Sequence, residues 1–176
     1  MFQCQQVLGI PYKKTSKRQV GYLSEDETKV LFMNNMNPIY RHSYTASFYV
    51  YDINNKVLIP LSDNGDQRLA TFSPDATKVA FMRDNNLFIK DLKTNEEIQF
   101  TYDGKWNHII NGTTDWVYEE EYGFTKAYAF SPDSKEIAYL KFDESEVPEF
   151  EMMRFDNTLY NKAYRFKYPK AGDKNS

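Results

Sequence analysis

The sequence is poor in residues that form covalent cross-links and metal sites. Its only cysteine is Cys4, which excludes an internal disulfide and a cysteine-rich zinc site. Its two histidines, His42 and His108, are isolated and lack the spacing of metal ligands. We therefore predict that the chain uses no metal and no other cofactor.

Long apolar runs and an excess of one charge are also missing. No stretch approaches the roughly 20 apolar residues that a membrane-spanning helix needs, and Met1 to Tyr12 is too polar for a secretory signal. The 22 basic and 25 acidic residues are well mixed, so the chain has neither a basic stripe for nucleic acid nor a polybasic membrane anchor. We predict that nucleic acid is not a partner.

Helical periodicity is the third absence. No window repeats apolar residues at helical spacing for three turns, whereas β-branched and aromatic residues are abundant. With 41% hydrophobic and 16% aromatic residues, 176 residues can bury a substantial core. The composition predicts a globular, all-β chain.

An internal repeat organises the sequence. Each copy reads as a turn followed by a strand, because Ser-Pro-Asp favours a turn and the next residues favour a strand; the copies are Leu23–Phe32, Phe72–Phe81 and Phe130–Tyr139. The first copy has Glu25 in place of proline. Ser24 and Ser73 are 49 residues apart, and Ser73 and Ser131 are 58 apart, close to the roughly 40 to 50 residues of a β-propeller blade. The longer interval predicts an inserted loop or short helix between residues 101 and 130.

Two β-hairpins are predicted between the repeats. Asn54-Asn55 and Thr94-Asn95 tolerate tight turns and are each followed by a further apolar run. Closed propellers have about 4 to 8 blades, whereas this chain holds about three to four. We therefore expect an incomplete propeller over residues 21–176, part of a longer protein, preceded by a segment of unclear role at residues 1–20.

The string Asp115-Trp-Val-Tyr-Glu-Glu-Glu121 combines three adjacent carboxylates with two large aromatic residues. The acids prefer water, whereas Trp116 and Tyr118 favour an apolar surface. The string is therefore either a recognition site for a cation or a solvated acidic turn with its aromatic residues packed beneath it. It also favours a short helix near 115–122.

This string, together with Arg41-His-Ser-Tyr-Thr-Ala-Ser47, resembles the N-terminal β-propeller of the dipeptidyl peptidase IV family, which are prolyl oligopeptidase-like serine peptidases. The resemblance implies that Glu120 and Glu121 bind the free ammonium of a peptide substrate and that Arg41 donates to the carbonyl between its first two residues. Glu119 would then be supporting or solvent-facing. Asn111-Gly-Thr113 also fits a glycosylation sequon.

For the parent protein, the resemblance implies an exopeptidase that releases N-terminal X-Pro or X-Ala dipeptides. It further implies a C-terminal α/β-hydrolase domain, a homodimer, and a periplasmic, secreted or cell-surface location. The chain itself contains no Gly-x-Ser-x-Gly nucleophile elbow, so we expect it to be inactive alone. Two alternatives stay open: a non-catalytic propeller that binds protein partners as a scaffold, and an unrelated propeller with an acidic surface turn.

Overall fold

A computed structural model of the chain describes residues 21–155 and 159–176. In chain order the elements of this part are β1 (Gly21–Leu23), β2 (Lys29–Pro38), β3 (Tyr44–Asp52), β4 (Val57–Pro60), β5 (Arg68–Phe72), β6 (Lys78–Arg83), β7 (Asn86–Asp91), β8 (Glu97–Gln99), β9 (Ile109–Asn111), α1 (Trp116–Tyr122), β10 (Tyr128–Phe130), β11 (Ile137–Tyr139), β12 (Lys141–Asp143), β13 (Glu149–Arg154) and β14 (Lys162–Lys167). The predicted segment at residues 1–20 lies outside the described residues.

The first eight strands form two four-stranded antiparallel sheets. Strands β1 to β4 make one sheet and β5 to β8 the other, each with neighbouring strands adjacent in the chain. We call them blade 1 and blade 2. Both predicted hairpins are present, since Asp52 pairs with Val57 and Lys90 pairs with Glu97. The prediction of all-β, partial propeller architecture is confirmed.

The three repeated turns have the same geometry. In each, the serine hydroxyl donates to the aspartate two residues later, at 2.6 to 2.7 Å. The same serine oxygen accepts the backbone N–H five residues later, at 2.9 to 3.0 Å. A residue with positive φ follows the aspartate each time: Glu27, Ala76 and Ser134. The first turn therefore forms without proline, because the serine and aspartate side chains supply its bonds.

Blade 2 is buried on both faces. In β6, Val79 and Phe81 pack against blade 1, while Ala80 and Met82 pack toward Tyr128 of β10. Successive side chains of a strand point to opposite faces, so an almost continuously apolar strand fits only between two neighbours. The Ser134 hydroxyl also accepts the backbone N–H of Asp75, at 3.0 Å, which joins the second and third repeated turns directly.

The third repeated turn lies in a unit made of β9 to β12, which we call the third repeat from here on. It differs from blades 1 and 2 because its first strand is divided into β9 and β10. Strand β10 pairs with β11, but β12, which follows β11 after Leu140, pairs with β9. Residues 112–127, which lie between β9 and β10, leave the sheet and return to it. Their ends are joined by an isolated bridge between Thr113 and Lys126 and by a bond from Ala127 N to Gly112 O, at 3.0 Å. We call residues 112–127 the insertion; it contains α1, in agreement with the longer repeat interval.

Candidate functional site

Helix α1 presents the three glutamates in different directions. It starts at the N-cap Asp115, whose Oδ1 accepts Tyr118 N at 3.0 Å, and it ends at Gly123, which has the left-handed conformation (φ 72°). Consecutive helical residues are about 100° apart around the axis. Accordingly Glu119 is buried, Glu120 is half-buried and Glu121 is exposed.

Aromatic packing holds this short helix in place. Tyr118 contacts Phe142, with ring centroids 4.9 Å apart, and Trp116 contacts Tyr168 at 4.5 Å and Phe166 at 6.2 Å. A helix of seven residues is marginal by itself in water, so these tertiary contacts stabilise it. Trp116 and Tyr118 are therefore anchors of the helix, in keeping with their apolar character.

The Arg41 segment lies against this helix. Arg41 belongs to the loop between β2 and β3, residues 39–43, which we call the Arg41 loop. Its Nε is 3.4 Å from Oε2 of Glu120, and the two side chains are 72% and 12% exposed, respectively. The structure thus brings together two predicted site residues that lie far apart in the chain. Glu121 lies beside them on the helix, on its solvent side.

Glu119 makes the stronger connection between helix and loop. Its Oε1 accepts the backbone N–H of His42 at 2.7 Å and that of Ser43 at 2.9 Å. A hydrogen bond to a charged group contributes about 1.5 to 3 kcal/mol, whereas an ion pair with an exposed partner is worth about 1 kcal/mol or less. Glu119, more than the Arg41–Glu120 pair, therefore holds the Arg41 loop.

The buried carboxylate of Glu119 has a cationic neighbour in Arg68. Burial lowers the pKa of Arg68, and the Glu119 carboxylate opposes this effect. The guanidinium also donates to Thr113 Oγ1 at 3.2 Å, which ties β5 to the insertion. Glu119 Oε2 and Arg68 Nε are both buried without a hydrogen-bond partner among the described residues.

A second buried carboxyl lies near the start of the helix. Burial raises the pKa of Glu144 to about 7; the Asp115 carboxylate adds to this effect, while Lys167 opposes it. Asp115 also accepts a hydrogen bond from the Ser176 hydroxyl at 2.6 Å. Glu144 is 6% exposed, and its backbone N–H donates to the His108 carbonyl at 2.7 Å. It therefore belongs to the buried support of the helix.

Asn111, the residue of the predicted glycosylation sequon, is fully buried. Its Nδ2, to which a glycan would be attached, donates to Asp103 Oδ1 at 2.9 Å. Attachment of a glycan would break this bond and would require the side chain to become exposed.

Two further findings concern metals and membranes. Among the described residues, no group of three or more His, Cys, Asp or Glu could hold a metal ion. In that same part of the chain, no helix is long and apolar enough to cross a membrane.

The roles of Glu119 and Arg68 are not predictable from the sequence. The resemblance implies that Glu119 is either a supporting residue or a solvent-facing one. In the structure its side chain is buried. Arg68 carries no sequence signal, because it is a single arginine at the start of a strand. A half-buried arginine next to a buried glutamate is visible only once the two blades and the insertion are assembled.

Comparisons with known proteins agree with the fold. A family profile for the dipeptidyl peptidase IV (DPP IV) N-terminal region matches residues 24–176. Dipeptidyl peptidase 4 of Sus scrofa is 38% identical over 158 residues, which are 87% of this chain and 20% of that protein. Prolyl endopeptidase FAP of Bos taurus is 35% identical over 166 residues, covering 93% of this chain and 21% of that protein.

A solved structure is also similar. The crystal structure of Porphyromonas gingivalis dipeptidyl peptidase 4 matches with a TM-score of 0.88 and 42% identity, over 99% of this chain and 24% of that one. The chain spans about a fifth of the length of the curated relatives it matches. The repeated turns, the divided third repeat and these matches together identify the chain as a member of the dipeptidyl peptidase IV family that carries part of its N-terminal propeller region.

Proposed function

We propose that this chain is the substrate-amine recognition portion of a serine dipeptidyl peptidase. Glu120 and Glu121 bind the free ammonium of a peptide, and Arg41 donates to the carbonyl between its first two residues. The observation that carries the proposal is the 3.4 Å approach of Arg41 to Glu120. This distance supports the proposal because Arg41 and Glu120, to both of which the resemblance assigns a contact with the substrate, are neighbours in space.

The chemistry suits a free peptide N-terminus. An ammonium has three donors and a compact charge, so two carboxylates can satisfy most of its hydrogen bonds with charge-assisted ones. An acylated or internal peptide nitrogen has neither the charge nor the donors. Binding the ammonium limits how far the peptide enters, which accounts for cleavage after the second residue.

Arg41 suits the carbonyl role. Its guanidinium is a planar set of donors that stays charged, and the side chain is 72% exposed, so most of its donors face solvent. Glu120 Oε2 lies at one edge of the guanidinium, 3.4 Å from Nε. The remaining N–H groups can then reach a substrate oxygen while Glu120 orients the side chain.

The proposal extends to the whole protein. In the full-length protein, an α/β-hydrolase domain supplies the serine nucleophile, and the enzyme releases N-terminal X-Pro or X-Ala dipeptides by proteolysis.

We also propose that the parent is a homodimer, as the resemblance implies. The hairpin of β13 and β14 supports this, because its exposed apolar residues include Phe155 and Leu159, 82% and 89% exposed. Sedimentation showing only monomers would contradict it.

The test uses the full-length protein and a chromogenic Gly-Pro substrate. Glu120→Gln combined with Glu121→Gln is expected to lower kcat/KM by about 100-fold or more, because the substrate ammonium loses its charged acceptors. Glu96→Gln combined with Glu136→Gln is the control, since it removes two exposed carboxylates elsewhere. Near-normal activity of the first variant would contradict the amine-binding role.

The same assay distinguishes the peptidase from the alternative of a non-catalytic scaffold. A wild-type parent that hydrolyses no Gly-Pro substrate would favour a non-catalytic binding module. Binding of a free peptide and of its N-acetylated form is then compared. Equal affinity for both would show that the acidic string does not select the amine.

A further inference from the structure

The Arg41 loop is held on both sides of Arg41: before it, the Tyr40 ring lies 6.3 Å from the Phe166 ring of β14, and after it, His42 and Ser43 bond to α1. The loop also has two internal bonds. It is closed by a bond from Ile39 N to Ser43 O at 2.8 Å, and Tyr40 N donates to Ser43 Oγ at 3.3 Å. These bonds shape the loop but do not attach it to α1. The attachment is made by Glu119, which accepts from the two backbone N–H groups directly after Arg41.

The acceptor is unusual because it is a charged side chain with almost no exposure. Glu119 is 1% exposed, and burial of a carboxylate is costly unless it is hydrogen-bonded and compensated. The two loop N–H groups bond one oxygen, and Arg68 supplies positive charge nearby. A neutral side chain at this position could pack equally well but would bind the loop less strongly.

We propose that Glu119 is a positioning residue for Arg41. This inference rests on the proposed function and gives the three glutamates different roles, since Glu120 and Glu121 contact the substrate amine whereas Glu119 contacts only the protein. By fixing the backbone at His42 and Ser43, Glu119 sets the point from which the Arg41 side chain starts. When this attachment weakens, Arg41 samples other positions and its contact with the substrate carbonyl is lost.

A merely structural role for Glu119 makes a different prediction. If Glu119 acts through Arg41, its substitution matters only while Arg41 is present. If it only stabilises the domain, the loss is the same with and without Arg41. A double-mutant cycle between the two residues therefore separates the two roles.

The cycle is measured in the full-length peptidase with a Gly-Pro anilide substrate. Glu119→Gln, which keeps the shape and removes the charge, is expected to lower kcat/KM about 10-fold, mainly by raising KM. In an Arg41→Ala background, the same substitution is expected to change kcat/KM less than 2-fold. Equal fold losses in both backgrounds would overturn the proposal.

Glu144→Gln is the matched control. It neutralises another buried carboxyl near α1, and it is expected to cause the same change in both backgrounds. The Glu120→Gln and Glu121→Gln variant is assayed alongside. Its normal activity would contradict the proposed function, whereas equal Glu119 effects in a strongly amine-dependent enzyme would contradict only the role of Glu119.

Glu119→Asp, which keeps the charge on a shorter side chain, is carried through the same cycle if Glu119→Gln does not fold. If neither folds, amide hydrogen exchange of the wild-type enzyme decides. His42 is an exposed residue, yet its amide is expected to be protected, and more strongly when the product dipeptide Gly-Pro is bound. Exchange of the His42 amide at the rate of an open loop, with or without the dipeptide, overturns the proposal.

Discussion

Blade 2 and the third repeat contain the same Ser-Pro-Asp turn, but only blade 2 completes a four-stranded sheet. Its four strands follow one another without interruption, and its centre is buried on both faces. The third repeat begins with β9, leaves the sheet for the insertion and resumes with β10. The regular blade supplies a core, and the interrupted one supplies the acidic helix.

The contrast shows how a repeat protein can gain a site without losing its repeat. The insertion leaves and rejoins the sheet at neighbouring points, so the strand pairing on either side of it is retained. Insertions into repeats map to loops on one face, which is often the binding face. Stability and recognition are therefore separable here, and substitutions in the two regions should have different consequences.

The largest expected effect comes from a substitution in the core of blade 2. Phe81 is fully buried, and its ring stacks on Phe88 with centroids 5.5 Å apart. Phe81→Ala is expected to lower the free energy of unfolding by about 3 to 5 kcal/mol, because it leaves a cavity between the blades. Tyr102→Ala, at a 76% exposed position between blade 2 and the third repeat, should cost less than about 0.5 kcal/mol. Urea denaturation measures both, and similar losses would contradict the distinction.

An intermediate effect concerns the carboxyl near the helix. Because the folded-state pKa of Glu144, about 7, lies above its ordinary value of 4.5, its contribution to stability is full below pH 4.5 and is lost as the pH rises through 7. Glu144→Gln should therefore stabilise the protein by roughly 1 to 3 kcal/mol at pH 8 and by nothing below about pH 4.5. Urea denaturation across this range measures the difference, and a pH-independent effect would contradict the assignment.

Glu97 of blade 2 is the control, because its pKa is shifted in the opposite direction to that of Glu144. Burial would raise its pKa, but bonds from Ser62 and Arg83 outweigh burial and lower it; Arg83 Nη2 is 2.7 Å from its carboxylate. A depressed folded-state pKa contributes stability above the unfolded value, and this is lost as the pH falls. Glu97→Gln should therefore destabilise at neutral pH, with the difference shrinking in acid.

The smallest expected effect compares the same turn in the two regions. Ser73 and Ser131 make equivalent bonds, but Ser73 is 1% exposed, whereas Ser131 is half-buried. Ser73→Ala should cost about 1 to 2 kcal/mol, since Lys78 N loses its acceptor in a buried turn. Ser131→Ala should cost about half as much because water can replace the hydroxyl. Thermal unfolding at pH 7 is the measurement, and equal shifts would show that burial does not set the cost.

Much of the local structure could be predicted from the sequence. The hairpins at Asn54-Asn55 and Thr94-Asn95 and the short helix all form within a residue or two of the expected positions. Their turn bonds join residues close in sequence, as in Asp52 Oδ1 accepting Asn55 N at 2.8 Å. The pairing of Arg41 with Glu120 is predictable only through the family resemblance, since no spacing relates two such distant positions.

The sequence by itself determined the turns, the strand propensity and the helix ends, because local side chain to backbone bonds and alternating apolar residues specify them. Only the tertiary structure decided that the first strand of the third repeat is divided and that Glu119 is buried. Glu119 accepts a hydrogen bond from the backbone N–H of His42, which is 77 residues away in the sequence. Such a contact depends on how blade 1, blade 2 and the insertion pack. Three adjacent glutamates are chemically identical in the sequence; the protein surface around the helix gives each a different environment.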